Sequence, residues 1–147
     1  NCLKYSKRVN KRIDWVRYAL DLAKVAASRS QDPHVKVGAA ILRKDHSVAS
    51  LGYNGVPPGI EINWSDRDER RKRVIHAEIN DLRYIKPDEG YILVCPLSPC
   101  RHCIQSIASY GIKKVFYEEE YDKDEFAFEL AKEYKMYLRK YTEGIYD

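Results

Sequence analysis

Two short stretches, His76-Ala77-Glu78 and Pro99-Cys100-Arg101-His102-Cys103, decide how this chain reads. Between them they offer one imidazole and two thiols: His76 can hold a metal through a ring nitrogen, Cys100 and Cys103 through thiolates. Three protein ligands leave the fourth tetrahedral position of a zinc ion open, the arrangement of a catalytic zinc and not of a structural one. Glu78 lies two residues past the histidine and need not be a ligand; a carboxylate there can carry a proton to and from the reacting groups. Both stretches read as helix starts. His76–Tyr84 forms one helix, and Pro99 opens another over Cys100–Tyr110 that Gly111 stops. Helix N-termini carry partial positive charge, which favours thiolate over thiol at Cys100 and Cys103.

A lone C-x-x-C is a weak signal and a lone H-x-E weaker. In this order, with Pro directly before the first cysteine, they make the H-x-E…P-C-x-x-C signature of zinc enzymes that deaminate cytosine and adenine bases. Two plainer readings compete with it: a closed structural site completed by Cys95, or buried cysteines with no metal. Cys95 reads as the end of a buried strand, where cysteine behaves as a small apolar residue. His102 sits inside the C-x-x-C loop, which leaves it little room to turn back on the same metal, so a partly exposed side chain is expected.

Working outward, Asp14 can cap a helix to about Ser28, with Val16, Ala19, Leu20, Ala23 and Ala27 at helical spacing. Gln31-Asp32-Pro33 ends it. Lys36–Leu42 and Ser47–Tyr53 read as a hairpin around Arg43-Lys44-Asp45-His46. Asn54-Gly55-Val56-Pro57-Pro58-Gly59 is a shaped loop. Ile60–Arg73 is polar and linker-like, with room for one helical turn. Gly90–Cys95 and Lys113–Tyr117 are the third and fourth strands, Asp124–Tyr134 a helix, and Met136–Tyr141 a fifth strand. The order α-β-β-α-β-α-β-α-β predicts an α/β fold, a three-layer α/β/α sandwich around a five-stranded mixed sheet. The crossover helix makes strands four and five parallel.

With 147 residues the chain is long enough for one domain with a core. We expect a single domain over 1–147, with residues 1–12 a loose arm and no repeat or low-complexity segment. Apolar residues make up 44% and charged residues 33%, a balance ordinary for a globular protein and without a run of membrane-spanning length. The first residues are polar and basic, unlike a signal peptide. Two of four cysteines are claimed by the metal motif; Cys2 and Cys95 make no disulfide framework, so a reducing, cytoplasmic setting is expected. The formal charge of +4 suits an anionic small substrate and does not demand nucleic acid. Lys4, Lys7, Arg8, Lys11 and Arg12 form one basic cluster; Arg67, Arg70, Arg71, Lys72 and Arg73 form another. Neither interleaves aromatic stacking residues, so both read as solvated charge runs. Arg29, Lys36, Arg67 and Arg101 are candidates to face a phosphate.

Nearly the whole chain, from about Trp15 to Tyr141, resembles the deoxycytidylate (dCMP) deaminase family of the cytidine deaminase-like superfamily. The resemblance is carried by Ser30-Gln31-Asp32-Pro33 leading into Val37-Gly38-Ala39. It continues in Gly52-Tyr53-Asn54-Gly55-Val56-Pro57, Asp66-Arg67 and Val74-Ile75-His76-Ala77-Glu78, then in Pro99-Cys100 to Cys103 and Gly111-Ile112-Lys113-Lys114-Val115. It implies a cytidine deaminase-like fold, a Zn2+ cofactor held by His76, Cys100 and Cys103, and hydrolysis of dCMP to dUMP for thymidylate synthesis, with dCTP left open as a further substrate. It implies that Glu78 is the proton shuttle, that the Ala77 N–H binds the ring carbonyl, that Asn54 contacts the sugar and that Tyr121 lies near the nucleotide. Gly55 and Ser98 are counted with the substrate-binding residues. It further implies a homo-oligomer, a hexamer by preference, with dCTP and dTTP as nucleotide effectors. Pro58 stands where a less rigid residue is usual, which bears on that regulation. The segment between Gly59 and His76 is short and has no Cys or His, so the second, structural zinc of some members should be absent. Two other readings stay open at this point. One is a nucleic-acid-editing enzyme such as a tRNA adenosine deaminase, which shares the zinc motif; the other is a non-catalytic zinc module for protein binding, in which Glu78 has no role.

Overall fold

Strand β1 (Gly38–Leu42) is buried at all five positions, which requires cover on both faces of the sheet. The computed structural model describes residues 12–120 and 124–146 and provides that cover. The elements in order are α1 (Trp15–Ala27), β1, β2 (Val48–Tyr53), α2 (Arg67–Arg73), α3 (Ala77–Leu82), β3 (Ile92–Leu97), α4 (Arg101–Ser109), β4 (Lys114–Glu119), α5 (Glu125–Glu133) and β5 (Tyr137–Lys140). The sheet order is β2-β1-β3-β4-β5. β1 runs antiparallel to both β2 and β3, while β3, β4 and β5 are mutually parallel neighbours. The expected mixed sheet and the parallel pairing of the last two strands are therefore present.

Alternation along the strands divides the core in two. Ala39, Ile41, Leu93, Cys95, Val115 and Tyr117 face α3, α4 and α5 through Leu82, Ile104, Ile107 and Leu130. Ala40, Leu42, Ile92, Val94 and Phe116 face α1 through Val16, Ala19, Leu20 and Ala23. That is the three-layer sandwich, and each fully buried Leu, Ile, Val or Phe in it contributes roughly 1.5–3 kcal/mol. Asp14 caps α1 by accepting from the Arg17 N–H at 2.6 Å, and its other oxygen accepts from the Gly144 N–H at 2.6 Å.

Several boundaries differ from the sequence reading, each for a local reason. β3 runs through Pro96 to Leu97, because beyond Val94 it pairs only with β4 and the missing proline N–H has no ladder to break. α3 is shorter than expected, with His76 as its N-cap and Arg83 as its C-cap. The segment read as a linker with one turn holds α2, seven residues long. No residue of α2 is buried, so apolar periodicity had nothing to show. The proposed arm, and with it the cluster Lys4, Lys7, Arg8 and Lys11, lies almost wholly outside the described residues. No helix among the described residues is long and apolar enough to cross a membrane.

Candidate active site

Two helix starts meet at one point. His76 is the N-cap of α3 and Cys100 the N-cap of α4, and neither side chain caps its own helix. Both turn toward each other. The His76 Nδ1 lies 3.3 Å from the Cys103 Sγ and 3.7 Å from the Cys100 Sγ. All three donor atoms lie within 4.8 Å of one another. A tetrahedral ion with metal–nitrogen and metal–sulfur bonds of zinc length needs ligand separations of about 3.6 Å. The His76–cysteine distances fit that edge, and two thiols with one imidazole are a donor set that zinc favours.

Glu78 occupies the first turn of α3 and is buried. Burial is the main influence on its carboxyl and pushes its pKa up; the neighbouring His76 opposes this. Hydrogen bonding from Cys103 is the largest influence holding the Cys100 thiol down, to about 3, whereas the same partnership and burial push Cys103 up. Cys100 is the N-cap of α4, where the helix field favours a thiolate. The His76 pKa is raised, chiefly by its contact with Cys100.

The backbone around the triad is held by groups spread over the sequence. Gly52 of β2 lies so close to α3 that a Cβ there would meet the Asp81 nitrogen at 2.6 Å and the Ala77 carbonyl at 2.8 Å, so no side chain fits. Asn80 donates from Nδ2 to the Tyr53 carbonyl at 2.9 Å, tying α3 to the end of β2. On the adjoining loop, the Asn54 Oδ1 accepts from the Val37 N–H and its Nδ2 donates to the Val35 carbonyl, both at 2.9 Å. Ser30 Oγ donates to the Asn54 carbonyl at 2.8 Å, and the Val56 N–H donates to Gln31 Oε1 at 3.2 Å. The Ser30-Gln31-Asp32-Pro33 break is therefore what shapes the Asn54–Gly59 loop.

A cavity of about 560 Å³ opens onto the triad; His76, Ala77, Glu78, Ser98, Cys100 and Asn54 all line it. Gly55 does not. Its N–H and C=O are both engaged by Ile75, so it acts on the site by holding the segment that leads into His76. Tyr121 lies outside the described residues. Cys95 is buried and its thiol is not one of the clustered donor atoms; its contact is the Phe116 carbonyl, and burial raises its pKa well above the usual thiol range. His102 is exposed.

The basic run Arg67–Arg73 is unburied, as a solvated charge run should be, and three of its members, Arg67, Arg70 and Arg71, also line the cavity. Arg70 and Arg71 were missed because α2 buries nothing. The signal that could have found the helix is Asp66-Arg67-Asp68-Glu69, an N-cap acid followed three residues on by Glu. The Asp66 Oδ1 does accept from the Asp68 and Glu69 N–H groups, at 3.0 and 3.2 Å.

An α/β/α sheet that brings a His/Cys/Cys donor set and a buried glutamate to paired helix ends is the architecture of zinc-site base deaminases. The family model for the cytidine and deoxycytidylate deaminase zinc-binding region matches residues 13–119, and the chain belongs to that family. Among curated relatives, the probable deoxycytidylate deaminase of Caenorhabditis elegans is 34% identical over 121 residues, covering 77% of this chain and 60% of that protein. The deoxycytidylate deaminase of Homo sapiens is 30% identical over 125 residues, covering 77% of this chain and 70% of that protein. The chain thus spans about three fifths of the nematode relative and somewhat more of the human one. Among solved structures, dCMP deaminase from the cyanophage S-TIM5, in complex with dCMP and dUMP, superposes with a TM-score of 0.69 at 28% identity, covering 86% of this chain and 93% of that one.

Proposed function

We propose that this chain hydrolyses dCMP to dUMP and ammonia at a zinc ion held by His76, Cys100 and Cys103. The observation that carries the reading is the buried Glu78 carboxyl beside the clustered His/Cys/Cys donors, both lining one cavity. When bound, zinc supplies Lewis acidity that lets water lose a proton near neutral pH.

The chain's own residues do the rest. Glu78 takes one proton of the attacking water and delivers it to the ring nitrogen, then takes the remaining proton of the hydroxyl added to the ring carbon and hands it to the amine as the C–N bond breaks. Its burial suits this, because a carboxyl whose neutral form is favoured can both hold and release a proton in the working range. The N–H of Ala77, first in α3, has no intrahelical acceptor and is free to donate to the ring carbonyl. Asn54 keeps one acceptor and one donor position beyond its two bonds to the loop backbone, enough to meet a sugar hydroxyl. Ser98 lines the cavity and completes the proposed contacts, with Tyr121 beyond it in sequence.

Side-by-side assay of dCMP, deoxycytidine, CMP and dCTP tests the substrate. dCMP should exceed deoxycytidine in kcat/KM by on the order of 10²-fold, since charge-assisted hydrogen bonds to a phosphate are worth roughly 1.5–3 kcal/mol each. Equal efficiency on deoxycytidine would move the chain to the nucleoside deaminases. Metal analysis tests the ligand set. Cys95→Ala should retain one zinc per chain, because its thiol is turned into the core; loss of the metal in that variant would mean a closed four-ligand site.

A further inference from the structure

The acids that line the cavity leave it little negative charge. Asp124 is matched by Arg101, with the Arg101 Nη2 2.7 Å from Oδ1 and Nε 3.1 Å from Oδ2. The Asp32 Oδ1 accepts from the N–H groups of His34 and Val35, and Glu78 is the proposed proton carrier. The cavity's basic residues, by contrast, come from a single short helix: Arg67, Arg70 and Arg71 of α2.

α2 is not there for packing, since it buries no residue. Its acids are engaged within the segment. Asp66 caps the helix, Asp68 pairs with Lys72 at 3.2 Å, and Glu69 accepts from the Asn63 N–H at 3.2 Å. Arg70 is engaged too, donating to the Trp64 carbonyl at 2.6 Å, a carbonyl that also lies 3.1 Å from the His34 ring. Among the described residues, this leaves Arg67 and Arg71 with no hydrogen-bond or ion-pair partner. They are four residues apart on a helix and so share a face. Of the other basic candidates, Arg101 is engaged by Asp124, Lys36 donates to the Ser30 carbonyl at 2.6 Å, and neither they nor Arg29 line the cavity.

We infer that α2 is the phosphate arm of the site: Arg67 and Arg71 receive the 5′-phosphate of the nucleotide, and Arg70 anchors the helix that presents them. This rests on the nucleotide reading above. Guanidinium forks match phosphate oxygens in pairs and hold their charge at any working pH. A phosphate dianion brought into a partly closed cavity without such partners would bind poorly. Two guanidiniums are also the number that neutralises it.

The test is the double variant Arg67→Ala/Arg71→Ala, with each single variant, assayed on dCMP and on deoxycytidine and titrated with dUMP and deoxyuridine. Because α2 buries nothing, the melting temperature should stay that of the parent. Each single change should lower kcat/KM on dCMP about tenfold or more, and the double change about 10²-fold or more, mainly through KM. Deoxycytidine turnover and deoxyuridine binding should stay within about twofold, while dUMP binding falls in step with dCMP activity. If the parent prefers dCMP and the double variant keeps that preference, the phosphate lies elsewhere and only this inference fails. If the parent shows no preference for dCMP, the nucleotide reading fails and takes the phosphate arm with it.

Discussion

Glu78→Gln should fold, keep its metal and lose on the order of 10²–10⁴-fold in kcat, the range that a positioned general acid–base contributes. The amide keeps the shape of the side chain and removes its capacity to accept and return a proton. Glu78 is not one of the three clustered donors, so metal content should match the parent. The residue is buried in the first turn of α3, and a neutral amide there costs no more to bury than a carboxyl already pushed toward its neutral form. Steady-state kinetics with metal analysis on the same preparation decides the matter. A Gln variant with near-parental turnover would remove Glu78 from the chemistry and revive the non-catalytic zinc module. Full loss of activity accompanied by loss of zinc would make Glu78 a support of the metal site and not a proton carrier.

The site was legible in the sequence to the extent that it follows from short-range rules. H-x-E and P-C-x-x-C each fix their residues within one helical turn, and the helix-start signals around them place both groups at N-termini. The central strands were legible because two-sided burial leaves continuous apolar runs such as Gly38–Leu42. What the sequence hid depends on contacts between distant segments. Gly52 reads as an ordinary strand glycine until α3 is laid across it. Asn54 reads as a sugar contact, and nothing local shows that its side chain is also bonded to the backbone at Val35 and Val37. Gly55 sits in the same loop as Asn54 but faces Ile75 and not the cavity. α2 was hidden for the opposite reason: it is polar all round and held by side-chain bonds, so no hydrophobic period marks it. That concealment matters most, because it left Arg70 and Arg71, which line the cavity beside the phosphate candidate Arg67, looking like a solvated charge run.

Asp81 carries the second large effect, and it bears on stability. It lies one turn after Glu78, fully buried between α3 and β2. Ser50 Oγ donates to its Oδ1, while its Oδ2 has no hydrogen-bond partner among the described residues. Burial dominates and pushes its pKa up to about 8, the Ser50 bond pulls it down, and the Glu78 charge adds to the rise. Below the unfolded carboxyl's pKa of about 3.8 both states hold the proton and ionisation of Asp81 adds no cost to folding. As pH rises from there, the unfolded chain releases the proton while the folded chain keeps it, so stability falls steadily until about pH 8 and is flat above. The full swing has an upper bound of about 6 kcal/mol, at 1.36 kcal/mol per pKa unit. Asp81→Asn removes that slope. Its carbonyl oxygen can still accept from Ser50, and its amide leaves an unsatisfied donor much as the protonated carboxyl does, so near pH 4 the two proteins should have similar stability. At pH 8 to 9 the variant should be more stable by a few kcal/mol. Urea unfolding of both proteins at several pH values reads this directly as a stability difference that grows with pH. A difference that stays constant from pH 5 to pH 9 would mean that Asp81 is ionised in the folded protein and that a partner for its second oxygen exists.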